Sequence, residues 1–332
     1  MLKVAVLDDY AHAARQSADW SRLDGKAEVT VFDRHLSEDE AARELAPFEV
    51  LCTVRERMAL PRTLIERLPN LKLVTIVGMR LTNLDLDAAT EHGVIVAHSG
   101  GGMRAPEFAN VGAATPELAW GLVIATVRDL ARQDRRMREG LWQDRLGVVL
   151  AGRTLGLLGL GRIGKRMAHY GKAFGMQVIA WSQNLTAEAA AAEGVRRVEK
   201  DALFAEADVL SIHLVLSERS RDLVTARELG LMKPTAHLVN TSRGPIVVEA
   251  DLIAVLRSGT IAGAGLDVFD IEPLPAGHPF RSLDNVTLSP HLGYSTRDTL
   301  KAFYTDSLDA IVAFADGAPV RVSNPEALVA RG

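Results

Sequence analysis

Residues 154–164 read Thr-Leu-Gly-Leu-Leu-Gly159-Leu-Gly161-Arg162-Ile163-Gly164. The first five residues predict a short buried strand, Thr154–Leu158, and the residues through Phe174 predict a helix. A Gly-x-Gly-x-x-Gly pattern alone says little, because glycine is common. Its place between a strand and a helix makes it specific. The first glycine allows a tight turn, the second lets a pyrophosphate approach the backbone, and the third lets helix and strand pack closely. The N–H groups of the new helix then face the anion. The turn is therefore predicted to bind a dinucleotide rather than merely to join two elements.

An acid is expected about 20 residues on, where it would bond the adenosine ribose hydroxyls. The sequence there is Val178-Ile-Ala-Trp-Ser182-Gln-Asn184, so Ser182 takes the acidic position. A neutral residue does not repel a 2′-phosphate, yet no cation follows at once. Arg162, or the more distant Arg196 and Arg197, could contribute. The sequence leaves NAD(H) and NADP(H) both open.

Working outward, further strands are predicted at Gln177–Trp181, Asp208–His213, Ala236–Asn240, Ile261–Val268 and Asn285–Ser289. Helices lie between most of them, one stopping at Ser258-Gly259. Six strands in this alternation predict a doubly wound parallel sheet. The first hundred residues repeat the rhythm, with strands at Lys3–Leu7, Ala27–Phe32, Glu49–Thr53, Lys72–Val77 and Gly93–Ala97. These are near-continuous apolar runs, as in a parallel sheet covered on both faces. Ser37 precedes an acidic first turn, Glu38–Glu40, and is placed to cap a helix. Residues 98–108 hold three consecutive glycines and a proline and read as a linker or as a loop over a site. One long helix is expected next, with Thr115 as its N-cap and Pro116 at its first position. Arg128, Arg132, Arg135, Arg136 and Arg138 crowd its far end, as the helix dipole favours. A last helix is predicted over Arg297–Phe314.

Composition narrows the class. At 332 residues the chain should hold about two domains of roughly 150 residues each. Lys and Arg number 38 against 42 Asp and Glu, a net charge of −4. Nucleic-acid binders need a basic surplus, so no nucleic acid is expected as a partner. The longest apolar runs fall far short of the roughly 20 residues that span a bilayer, so no membrane is expected either. The N-terminal MLKVAVLDDY reads as a first strand rather than a signal peptide, which predicts a cytoplasmic protein. A single cysteine, Cys52, excludes an internal disulfide framework and a cysteine-based zinc site. The nine histidines offer no close ligand pair and no HExxH, so no metal is expected.

Three ionisable residues follow predicted strands. They are Arg243 in Asn-Thr-Ser-Arg-Gly-Pro, Glu272 in Asp-Val-Phe-Asp-Ile-Glu-Pro, and His291 in Ser-Pro-His-Leu-Gly. Any one of them alone reads as a surface charge or a satisfied hydrogen-bonder. Together they sit where doubly wound sheets bind ligands, beyond the strands' carboxyl ends. The set suits hydride transfer to a 2-oxo acid. An arginine binds the carboxylate and polarises the carbonyl oxygen. An imidazole supplies or removes the proton, and a glutamate stabilises its charged form and fixes its tautomer.

At these residues the chain resembles the D-isomer-specific 2-hydroxyacid dehydrogenases. The resemblance rests on Gly159–Gly164, on Met232–Gly244, on Ala264–Pro275 and on Ser289–Gly293. It implies a Rossmann NAD(P)-binding domain, residues 113–292, inserted in a flavodoxin-like substrate domain, residues 1–112 and 293–332. Both domains are α/β with doubly wound parallel sheets. It further implies Arg243 as the substrate-orienting residue, His291 as acid/base and Glu272 as its partner. Arg162 and Ile163 would contact the pyrophosphate and Asp267 the nicotinamide carboxamide, while His213 and Thr241 line the cofactor cleft. In the first domain the family holds the substrate carboxylate on a glycine-rich loop, here Ile76-Val77-Gly78-Met79-Arg80. Arg80 stands where a second glycine is usual, and either adds charge to the pocket or points away. Val215 replaces the usual proline after His213. The family is usually dimeric, which implies a homodimer.

The leading expectation is an NAD(P)-dependent oxidoreductase of a small 2-hydroxy or 2-oxo acid. The alternative is a dinucleotide-responsive binding or regulatory protein of the same fold without turnover.

Overall fold

The computed structural model describes residues 1–77, 83–99 and 110–329. The chain divides into two compact units, Met1–Gly112 with Ser295–Gly332, and Ala113–Tyr294.

The first unit carries β1 (Leu2–Val6), β2 (Ala27–Val31), β3 (Val50–Thr53), β4 (Leu73–Ile76) and β5 (Ile95–His98). All pair in parallel, in the order β2-β1-β3-β4-β5. This is the flavodoxin-like order. Every residue of β3 and β4 is buried, because helices cover both faces. The helix Glu38–Glu44 begins with a capping box, in which Ser37 and Glu40 bond each other's backbone N–H. The C-terminal segment returns to this unit. Its helix Arg297–Ala315 buries Leu300, Phe303, Tyr304, Leu308 and Ile311. Asn324 then accepts the Val96 N–H at 2.8 Å and donates to the Val94 carbonyl at 2.9 Å, tying the tail to β5.

The second unit carries β6 (Thr154–Leu158), β7 (Gln177–Trp181), β8 (Arg196–Arg197), β9 (Val209–Ile212), β10 (His237–Asn240), β11 (Gly263–Leu266) and β12 (Val286–Leu288). The order is β12-β11-β10-β9-β6-β7-β8, again all parallel. The strand order reverses between β6 and β9, the switch point at which such sheets bind ligands. β8 is a seventh strand where six are predicted. Its two residues are both arginines, too short and too charged to show a strand pattern.

The long helix differs from expectation. A 3-10 turn at Val111–Ala113 runs straight into the helix Ala114–Val127, and Ala113 is its N-cap without a side-chain bond. Thr115 therefore lies inside the first turn. The helix stops at Arg128, and a second one, Leu130–Arg138, starts after Asp129. Asp129 adopts φ 54°, a left-handed conformation that aspartate tolerates better than most side chains. The arginines on this segment serve ion pairs. Arg132 meets Asp144 and Asp284, Arg135 meets Asp284, and Arg138 meets Asp134. Among the described residues no helix is long and apolar enough to cross a membrane.

Candidate active site

Register places the site. Trp181 pairs with Leu158, Leu158 with Ile212, Ile212 with Asn240, Asn240 with Leu266, and Leu266 with Leu288. One row of paired residues thus crosses six parallel strands, from β7 to β12. The residues one position beyond this row are Ser182, Gly159, His213, Thr241, Asp267 and Ser289. Five of these six are sequence-predicted cofactor residues. Arg243, Glu272 and His291 follow within a few residues on β10, β11 and β12. Parallel strands put all of them on one edge of the sheet.

The glycine turn has the close contacts its pattern predicts. Gly159 has φ 106°, and a Cβ there would lie 2.6 Å from the His213 carbonyl oxygen. A Cβ on Gly164 would lie 2.2 Å from the Gly159 carbonyl oxygen. Both clashes are with backbone, which cannot swing aside. A Cβ on Gly161 would meet nothing within 4 Å. The space over the N-terminus of the helix Arg162–Ala173 is therefore open, as an approaching pyrophosphate requires. Arg162 is exposed there, while Ile163 packs against the core beneath the sheet.

Two enclosed polar atoms, at the ends of β9 and β10 on one side of this turn, have no protein partner. His213 donates its N–H to the Leu158 carbonyl at 2.8 Å, and its Nε2 lies 2.8 Å from the Ser211 hydroxyl. Its Nδ1 is buried and unpaired. Burial pushes the ring down to about 3, so it is neutral near pH 7. Thr241 is 6% exposed and its Oγ1 is also unpaired. Buried polar atoms are ordinarily satisfied. Two orphans at the ends of adjacent strands, beside an open glycine turn, fit a polar ligand such as a dinucleotide. At the far side, Ser182 follows β7 and no carboxylate lies in 182–185. Arg196 pairs with Glu206, and Arg197 with Glu199 and the Leu185 carbonyl. Of the three cations weighed for a 2′-phosphate, Arg196 and Arg197 are thus held in ion pairs of their own.

His291 and Glu272 come together although they are 19 residues apart. The His291 Nδ1 lies 2.5 Å from the Glu272 Oε2. The Glu272 Oε1 accepts the Phe269 N–H at 2.9 Å, so the carboxylate is aimed by its own loop. The His291 backbone takes φ 52°, and its N–H donates to the Asp267 carbonyl at 2.9 Å. A non-glycine residue in that region is strained and persists only where surrounding bonds enforce it. Asp267 supplies the enforcement. Fully buried, it accepts from the Ser289 hydroxyl at 2.6 Å, the Leu292 N–H at 2.7 Å and the Gly293 N–H at 2.9 Å. Burial pushes its carboxyl up, against these donors and the neighbouring His291. In this structure Asp267 therefore grips the loop that carries His291.

Arg243 leaves β10 in a turn built by Asn240, whose side chain accepts the Ser242 N–H and donates to the Arg243 carbonyl, each at 3.0 Å. The Ser242 hydroxyl bonds the Ile212 carbonyl at 2.9 Å, fixing the turn to β9. Sequence reasoning missed these supports. It also missed Gly244, where a Cβ would lie 2.3 Å from the Phe269 carbonyl oxygen. The only signal was the Arg243-Gly-Pro triplet. In the first unit Val77 follows β4 and is buried. Gly78, Met79, Arg80 and the loop 100–108 lie outside the described residues.

The chain is similar to known proteins in sequence and in fold. Residues 120–293 match the family model of the D-isomer specific 2-hydroxyacid dehydrogenase NAD binding domain. Over 304 residues the chain is 38% identical to a glyoxylate reductase of Aeropyrum pernix, covering 86% of this chain and 88% of that protein. It is 37% identical over 281 residues to a hydroxypyruvate reductase of Thermotoga maritima, covering 83% of this chain and 88% of that one. The crystal structure of a phosphoglycerate oxidoreductase from Vibrio cholerae superposes with a TM-score of 0.88 at 36% identity, covering 96% of this chain and 100% of that chain. This chain belongs to the D-isomer specific 2-hydroxyacid dehydrogenase family, NAD(P)-dependent oxidoreductases of small 2-hydroxy and 2-oxo acids.

Proposed function

We propose that the chain reduces a small 2-oxo acid, of the size of glyoxylate or hydroxypyruvate, with Arg243, His291 and Glu272 as its working residues. The His291–Glu272 pair carries this reading. With Nδ1–H donated to a carboxylate, the tautomer and the ring plane are fixed, and Nε2 is the nitrogen left to face a substrate oxygen. The Arg243 guanidinium would take the substrate carboxylate in a bidentate pair and polarise the adjoining carbonyl. A bound nicotinamide supplies the hydride in reduction and accepts it in oxidation. His291 delivers the proton to the carbonyl oxygen in reduction and removes it in reverse, while Glu272 stabilises the charged ring. Gly159, Gly161 and Gly164 make room for the dinucleotide. Arg162, Ile163, Ser182, His213, Thr241 and Asp267 are its further candidate neighbours, with the orphaned atoms of His213 and Thr241 as the strongest support.

The named relatives are reductases, which favours turnover over the non-catalytic alternative. Initial rates with a panel of 2-oxo acids, run with NADH and NADPH in parallel, test the reading. D-2-hydroxy acid products are expected. Tight dinucleotide binding with no acid turned over would support the non-catalytic protein instead.

We further infer a homodimer in the cytoplasm, where nicotinamide dinucleotides are available. Leu141, Trp142, Leu146 and Val149 crowd one stretch at 45%, 70%, 96% and 72% exposure, an apolar surface that a second copy would cover. Light scattering on the full chain checks the dimer, and a monomer at micromolar concentration would refute it.

A further inference from the structure

We propose that Glu249 and His278 form a brace that positions Glu272 against His291. The proposal rests on the reading of Glu272 given above. Glu272 sits in the irregular stretch between Leu266, the last residue of β11, and the 3-10 turn Pro279–Ser282. A loop of this length holds one geometry only if its two arms are tied together. Glu249 is the first residue of the helix Glu249–Ser258, a rigid element, and it reaches both arms. Its Oε2 accepts the Asp270 N–H at 3.4 Å, two residues before Glu272. Its Oε1 lies 2.8 Å from the His278 Nε2, six residues after Glu272.

The bonding fixes the state of the second imidazole. His278 Nδ1 accepts the Phe280 N–H at 3.3 Å, so that nitrogen is bare and the proton is on Nε2, donated to Glu249. Both ring nitrogens are thus committed to protein. That distinguishes the pair from His291–Glu272, where only Nδ1 is committed, and marks it as a support rather than a second acid/base. The ring centroids continue the tie, with His278 5.0 Å from Phe280 and Phe280 6.3 Å from Phe269. Phe269 in turn gives its N–H to Glu272. The opposite side of the arm is pinned by Gly244, where any Cβ would strike the Phe269 carbonyl. Burial first, then Glu249 and Asp222, push the Asp270 carboxyl up, with Arg221 and His278 opposing. Glu249 and His278 are positioning residues. Their effect on the reaction passes through the placement of Glu272.

The test is a double-mutant cycle on the full-length protein, with NADH and glyoxylate as probes. Glu249→Ala is expected to lower kcat by about 10- to 30-fold, no more than the loss of the Glu272 charge itself and within the roughly 10²-fold that a misplacement of one ångström can cost. Dinucleotide affinity should stay within about twofold. Glu249→Gln keeps an acceptor for His278 and should recover most of the rate. The double variant Glu249→Ala/Glu272→Gln should be no slower than Glu272→Gln alone, since both act through one group. Full additivity, or a Glu249→Ala variant within twofold of wild type, overturns the brace. If Glu249→Ala fails to fold, His278→Leu breaks the same tie from the other arm and carries the same expectations. A silent Glu272→Gln would instead refute the role of Glu272 itself, so the two failures are told apart.

Discussion

Replacing Glu272 with glutamine removes one charge and leaves the shape. The amide oxygen can still accept the Phe269 N–H, so the loop should keep its course. What is lost is the charge and, with the NH2 group now in the place of Oε2, the acceptor in the 2.5 Å contact with His291. A hydrogen bond to a charged group contributes roughly 1.5–3 kcal/mol. The two side chains are 20% and 33% exposed, so water screens part of this and the lower end applies. About 1.5–2 kcal/mol in the transition state corresponds to a fall of about 10- to 30-fold in kcat for 2-oxo acid reduction. Initial rates at saturating substrate, with dinucleotide affinity measured by calorimetry, separate this from a binding defect. A kcat within twofold of wild type would show that the Glu272 charge does not act on His291.

Arg243→Ala should lower kcat/KM by about 10²–10³-fold, as removal of a charge-stabilising donor does, and near-wild-type kinetics would rule out its role. Ser182→Asp should raise the KM for NADPH relative to NADH, and an unchanged ratio would mean that the ribose lies elsewhere. Gly164→Ala forces a Cβ to within 2.2 Å of the Gly159 carbonyl oxygen, so dinucleotide affinity should collapse and thermal stability fall, whereas normal binding would contradict the turn geometry. Burial alone would raise the Glu228 carboxyl, but the Thr225 hydroxyl and N–H, Lys200 and Arg227 outweigh it and hold it at about 2, below its ordinary 4.5. A depressed carboxyl stabilises the fold above pH 4.5 and loses that contribution as pH falls toward 2, about 3 kcal/mol in all. Glu228→Gln should therefore be less stable than wild type in urea at pH 7, and the gap should narrow at pH 3. A gap that does not change with pH would show that the shift is absent.

The parallel strands were legible because each is a short apolar run covered on both faces, and the glycine turn because its spacing answers to backbone clearance. The second unit's sheet edge followed from these, since parallel strands share one carboxyl end. What stayed hidden depends on contacts between distant residues. β8 is two arginines that pair only because β7 is already in place. The break at Asp129 lies inside a stretch whose helical pattern runs through it. Asp267 was assigned a cofactor contact by resemblance, and the structure shows its carboxylate bonded to residues 22 to 26 positions later. Glu249 and His278 lie 29 residues apart and carry no pattern that links them. His213 and Thr241 came by resemblance alone, because an unpaired buried atom is a property of packing.

His291 is proposed to move the proton while hydride transfers at this sheet edge. Single-turnover reduction of glyoxylate by enzyme preloaded with reduced dinucleotide, in wild type and in His291→Asn, tests it directly. Dinucleotide affinity should be unchanged, and the hydride-transfer rate of the variant should fall by at least about 10²-fold. Transfer at the wild-type rate, with the dinucleotide equally bound, would contradict it.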